Sequence, residues 1–235
     1  PRFYTLEDFT VPLGRRYQPG GIPLSSSTGD AIEFVGTREY RDGDPVKNIH
    51  WRSWARRGKP VVKEFQEEYF CRIALILDTF LPARAGATDL EAFEAAISVV
   101  ASVADYFSRS EYIVDILAAG PDIYEVSAGR SLAYLENILD VLTCLEPCYQ
   151  PPFQTIGPHL FEKLAQITTV VAVLQDWDRA RRDFLERVKS LGTAVRAIIV
   201  HEGPTGESWQ SVAEELGEIS QMTPADVERL VQSRS

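Results

Sequence analysis

At 235 residues, 45% hydrophobic and 25% charged, the chain has enough apolar side chain for one large core and is not a disordered or low-complexity polymer. A net charge of −10 and a pI near 4.9 exclude the chain as a whole from the polyanion binders, nucleic-acid proteins first among them. Three cysteines (Cys71, Cys144 and Cys148) make no disulfide framework and point to a reducing compartment, and no apolar run approaches the ~20 residues of a membrane span.

The chain begins Pro1-Arg2-Phe3 without an initiator Met, which predicts a piece of a longer protein. Residues 1–37 are dense in turn formers, above all in the Pro19–Gly29 loop, and predict turns and short strands with no helix. Val61–Tyr69 alternates towards a strand, so residues 1–70 read as a small β-rich subdomain. Ile73–Leu77 is a continuous apolar run ending at Asp78, the pattern of a strand buried on both faces. An amphipathic helix follows over 90–108, with Leu90, Phe93, Ile97, Val100, Ala101 and Ala104 on its inner face. Strands are expected at Tyr112–Ala118 and Ile123–Val126, joined by the turn Gly120-Pro121-Asp122, and a helix over 131–145.

Thr169–Leu174 reads as a second buried strand, ending at Gln175-Asp176-Trp177-Asp178. A basic-faced helix over 179–190 stops near Gly192, and Ala194–Val200 is a further strand. This alternation predicts an α/β fold over 71–205, a doubly wound and mostly parallel sheet with helices on both faces. Residues 206–235 read as a helical extension, whose helix opens with Thr223 as N-cap and Pro224 at the first helical position.

Residues 38–63 stand out by charge: eight Lys or Arg against three acids leave +5 on an otherwise acidic chain. Such a patch suits an acidic partner or an anionic surface, or else is a solvated face neutralised by its neighbours. Gly43 suits a turn, Asp44 an N-cap and Pro45 the first helical position, with Val46, Ile49 and Trp54 facing inward and Arg38, Glu39 and Asp44 tied by charge-assisted bonds. The segment reads either as a brace between subdomains or as a partner site. Nucleic-acid binding through it sits poorly with the acidic pI.

The stretch Glu33-Phe34-x-Gly36-x-Arg38-x-Tyr40, then Gly43-Asp44, Ile49-His50-Trp51 and Ala55-Arg56, followed by the strand ending at Asp78, resembles the bacterial domain-of-unknown-function 58 family. In that family the signature precedes a von Willebrand factor A-like domain. The resemblance implies that fold, with the small β-rich subdomain before it. The candidate partner-binding residues of the segment, read from its own charge and aromatics, are Arg38, Tyr40, Asp44, His50, Trp51, Arg52, Arg56 and Arg57. The resemblance also implies a non-catalytic assembly module working with a MoxR-type AAA+ ATPase on a client protein, on the cytoplasmic side, often tethered by membrane helices upstream.

Von Willebrand factor A-like domains carry an Asp-x-Ser-x-Ser loop that holds Mg²⁺. Here that loop is Asp78-Thr79-Phe80-Leu81-Pro82, and neither Phe80 nor Pro82 offers a side-chain oxygen. Asp78 and Asp176 remain as candidate metal ligands and Thr155 as a loose match to the family's Thr loop; the expectation is no cofactor, with Mg²⁺ as the alternative. A metal-dependent hydrolase using Asp78, Asp176 and His50 is the competing function. Cys144, Cys148 and His159 lack a fourth ligand for zinc, and no P-loop or Gly-x-Ser-x-Gly elbow is present.

Overall fold

Strand β1 (Ile32–Glu39) runs antiparallel to β2 (Val61–Glu67), and helix α1 (Trp51–Arg57) lies in the connection between them. The computed structural model describes residues 1–12, 32–44, 46–67, 72–109, 113–119, 123–128, 132–150 and 153–232. The loop 19–29, Pro45, Cys71, Tyr112, the turn at 120–122 and Pro151-Pro152 lie outside the described residues.

Ile49 bridges Val62, and the His50 N–H donates to the Val61 carbonyl at 2.8 Å, so the connector is laced to β2. Ile49, Val61 and Val62 are buried; Val61 and Val62 are neighbours on opposite faces of β2, so the start of that strand is covered on both sides. Gly58 ends α1 in the left-handed region, its N–H returning to the Trp54 carbonyl at 2.9 Å. Two expectations fail here. Val46 is 63% exposed, outside the inner face, because only a single 3-10 turn forms at Val46–Asn48. Asp44 does not cap a helix; its carboxylate is taken by Arg38 and the Arg41 N–H.

The rest of the described chain is α/β. In order it comprises β3 (Arg72–Leu77), α2 (Ala87–Ser108), β4 (Ile113–Ala119), β5 (Ile123–Ala128), α3 (Leu132–Thr143), α4 (Ile156–Lys163) and β6 (Thr169–Leu174). Then come α5 (Arg179–Ser190), β7 (Ala194–Val200), α6 (Ala213–Leu216), β8 (Glu218–Met222) and α7 (Pro224–Gln232). The sheet order is β5-β4-β3-β6-β7-β8, parallel throughout except for the β4–β5 pair. This is the doubly wound, mostly parallel α/β sheet that the strand–helix alternation predicts.

Helices cover both faces because each central strand is apolar on both sides. Ile73, Leu75 and Leu77 of β3 join one core with α2, α3 and α7, and Ala74 and Ile76 join the other with α4, α5 and α6. Leu90, assigned to the inner face of α2, is 47% exposed; Phe93, Ile97 and Val100 make the contact. Each buried methyl or methylene group of such a core contributes about 0.8 kcal/mol, against the conformational entropy of the chain.

By its contacts the chain divides into two compact units, with a division after Phe70 and none at 205. That division groups Pro1–Pro19 with Cys71–Ser235 and sets Gly20–Phe70 apart. Residues 1–12 form a strap on the α/β unit: Tyr4 and Phe9 are buried in the α2 core, and the Tyr4 N–H donates to the Ser102 hydroxyl at 3.0 Å. At the far end of the chain β8 completes the sheet, so 206–235 is more than a helical extension. Gly217 makes β8 reachable: a Cβ there would stand 2.2 Å from the Val195 carbonyl oxygen.

Candidate functional site

Parallel pairing of β3 with β6 brings the residues that follow both strands to one edge. The Asp78 N–H donates to the Val173 carbonyl at 2.9 Å, and Asp78 itself is only 2% exposed. Its Oδ1 accepts the Phe80 N–H at 3.1 Å, closing a tight turn, and its Oδ2 accepts the Gln175 N–H at 3.1 Å. The loop beyond is pinned on its other side, since the Cys148 N–H donates to the Thr79 carbonyl at 2.7 Å.

A buried arginine completes the arrangement. Asp178 caps α5, its Oδ1 accepting the Arg181 N–H at 2.9 Å, and the first turn of the helix then aims the Arg181 side chain inward. The guanidinium lies 2.7 Å from Asp78 Oδ2 through both Nε and Nη2, and 2.5 Å from Asp178 Oδ2 through Nη1. Its side chain is 2% exposed, and the Phe80 ring sits 5.7 Å from its carbon. Burial opposes the charge on Arg181, but the carboxylates of Asp78 and Asp178, with Asp176 behind them, outweigh it and hold its pKa above the ordinary arginine value.

Asp176 is engaged elsewhere. Its Oδ1 accepts the Trp177 N–H at 2.7 Å and the Gly206 N–H at 2.9 Å, tying the loop after β7 to the end of β6. His201, also at this edge, shares a 3.0 Å hydrogen bond with the Gln175 carbonyl through Nδ1. Among the described residues no three Asp, Glu, His or Cys side chains converge on a metal-sized space. Asp78 and Asp176 do not fit a divalent ion: the oxygens of Asp78 already accept protein donors, and a dication about 4 Å from the guanidinium would meet repulsion on the order of 8 kcal/mol at an effective dielectric of about 20. Thr155 sits at the N-cap of α4 without a side-chain capping bond. Cys144 is exposed and Cys148 half-buried.

The residues expected to bind a partner lie in the hairpin unit and divide into two groups. Arg38 and Asp44 form a bidentate pair, at 2.6 and 2.8 Å, and the Tyr40 N–H donates to the Pro60 carbonyl at 3.0 Å. These hold the connector in shape. His50 Nδ1 is 2.6 Å from the Ser53 hydroxyl, one turn along α1. Trp51, Arg52, Arg56 and Arg57 are exposed, Trp51 by 61% and stacked on Trp54 at 5.3 Å. Among the described residues no acidic side chain pairs with Arg52, Arg56 or Arg57.

Asp178 and Arg181 carry the buried cluster, and sequence reasoning missed the role of Arg181. The available signal was the position of Arg181 three residues after a capping Asp, next to a strand end that already holds one buried carboxylate. Within a run of helical cations it reads as one more solvated charge.

Several known proteins are similar to this chain. YeaD, an uncharacterized protein of Bacillus subtilis (strain 168), is 29% identical over 97 residues, 40% of this chain; the chain spans 22% of that protein's length. In solved structures it is similar to the VWA domain of SpRpn10, at 11% identity over 70% of this chain and 95% of that one, TM-score 0.42. It is also similar to an aerotolerance-related membrane protein of Bacteroides fragilis NCTC 9343 carrying multiple mutations to serine, at 11% identity over 69% and 99%, TM-score 0.38. The model of the family described as proteins of unknown function, DUF58, matches residues 36–198, and with the signature and the sheet that follows it the chain belongs to that family.

Proposed function

We propose that this chain is a non-catalytic docking module whose working surface is the basic, tryptophan-bearing face of residues 46–59. The observation that carries the reading is the exposure of Trp51 beside Arg52, Arg56 and Arg57, cations with no acidic partner among the described residues. Tryptophan and arginine are the side chains that contribute most when an interface closes over them, and a local charge of +5 selects an acidic partner. A metal-dependent hydrolase finds no support: the carboxylates it needs are spent on Arg181 and on backbone donors.

The partner in this reading is a MoxR-type AAA+ ATPase, which supplies the energy for work on a client protein while this chain supplies the contact. The module faces the cytoplasm, tethered by sequence ahead of residue 1. Partner and tether alike are what membership of the family suggests. Among the described residues no helix is long and apolar enough to cross a membrane.

The test is co-purification with a MoxR-type ATPase from the same genome, using the chain and a variant with Arg52, Arg56 and Arg57 all changed to Glu. The expected result is a complex with a Kd in the micromolar range, weakened at least about tenfold by the charge reversal and by raised salt. A complex indifferent to the reversal moves the contact elsewhere on the chain, and no complex at all removes the proposed partner.

A further inference from the structure

We propose that Arg181 is a built-in cation that does permanently what a bound divalent ion does in domains that keep their metal-binding loop. It neutralises the carboxylate at the end of β3 and locks the surrounding loops in one arrangement, so the carboxyl edge of this sheet is independent of metal.

Four observations converge on it. The guanidinium touches Asp78 twice at 2.7 Å and Asp178 once at 2.5 Å, bridging β3 to the first turn of α5. Arg181 and Asp78 are both 2% exposed, so the charge is compensated inside the protein and not by solvent. The ring of Phe80, which stands where a hydroxyl ligand would be needed, lies 5.7 Å from the guanidinium carbon. The change that removes an oxygen ligand therefore also supplies an aromatic neighbour for a cation. Finally, the Gln175 N–H shares the Asp78 oxygen that Arg181 binds, so the end of β6 is fixed by the same centre.

The consequence reaches beyond charge balance. A metal held at a sheet edge keeps an open coordination position for a partner's carboxylate, whereas a buried guanidinium with its donors turned inward offers none. Partner binding at this edge by carboxylate capture is lost, and the edge becomes a fixed structural element.

The experiment uses the whole chain. Mn²⁺ binding is followed by electron paramagnetic resonance, and thermal melts are recorded in EDTA, Mg²⁺ and Mn²⁺. The native chain is expected to bind no Mn²⁺ up to about 1 mM and to melt at the same temperature in all three, within roughly 1 °C. Arg181→Ala leaves Asp78 buried without compensation and is expected to lower Tm by about 10 °C or more. Mn²⁺ should then raise the Tm of that variant by several degrees, and Asp78→Asn in the same background should abolish the response. If Arg181→Ala does not fold, Arg181→Lys keeps a charge without the fork and is expected to melt between native and unfolded extremes, with no Mn²⁺ response. Mn²⁺ bound by the native chain tighter than about 100 µM overturns the proposal. So does a native Tm that falls in EDTA, or a lowered Tm in Arg181→Ala that Mn²⁺ does not raise.

Discussion

Asp44 shows how much a single side chain can be changed by its neighbours. The fork of Arg38 grips both its oxygens and the Arg41 N–H adds a third bond, which together hold its carboxyl at about 2, below the ordinary value of 3.8. Because the folded value is the lower one, the stabilisation is complete above about pH 4 and is lost as the pH falls through 3.8 towards 2. A carboxyl-detected NMR titration should place the Asp44 midpoint near 2, and Arg38→Ala should return it towards 3.8. Gly217 is the other residue with no substitute. Its φ of 147° and the 2.2 Å approach of a Cβ to the Val195 oxygen predict that Gly217→Ala loses more than about 2 kcal/mol, since backbone cannot step aside as a side chain can. An unchanged urea midpoint for that variant would contradict the close approach.

At the scale of elements, caps decide where helices start. Thr223 and Asp226 form a reciprocal box at the head of α7. The Thr223 N–H and hydroxyl donate to Asp226 Oδ2 at 2.9 and 2.8 Å, and the Asp226 N–H returns to the Thr223 hydroxyl at 3.1 Å. Thr223→Ala should cost about 1 kcal/mol and lower Tm by roughly 2–4 °C, read from a thermal melt. That helix start was legible in the sequence, as were the buried strands, because Ile73–Leu77 and Thr169–Leu174 are apolar on both faces and admit one reading. Others were not, α4 and β8 among them. Helix α4 carries Gly157 and Pro158 in its first turn, which read as loop, and β8 has a single buried side chain, Ile219, too little alternation to register as a strand. The site divides in the same way. Asp78 was legible because it ends a buried strand, whereas Arg181 is 103 residues away in sequence and its partner is chosen by tertiary packing alone.

Across the whole α/β unit, the two edges of the sheet are closed by different means. The carboxyl edge carries the Arg181 centre. At the amino edge the Thr169 hydroxyl donates to the Pro12 carbonyl at 2.6 Å, Arg196 reaches the Thr10 carbonyl, and the Arg196 guanidinium lies 3.9 Å from the centre of the Phe9 ring. Burial pushes the pKa of Arg196 down, and Glu218 at 3.0 Å recovers part of the loss. Phe9→Ala removes an aromatic buried against Phe107 and should cost about 3 kcal/mol. Proteolysis should then cut near residues 1–12 first, while the sheet stays protected. Cleavage no faster than in the native chain would mean the strap holds without its aromatic anchor.

The strap also sets how the unit responds to force. Its anchors follow one another along the chain, Tyr4 on Ser102, Leu6 under Arg109, Phe9 under Arg196, Pro12 on Thr169, so a tension applied at Pro1 loads them one at a time. Peeling of this kind yields at low force, in contrast to the shearing of parallel strands pulled along their length. A tug from the amino-terminal side is therefore expected to release residues 1–12 as a short slack before the sheet bears any load, and a single-molecule extension trace should show that small step ahead of the main rupture.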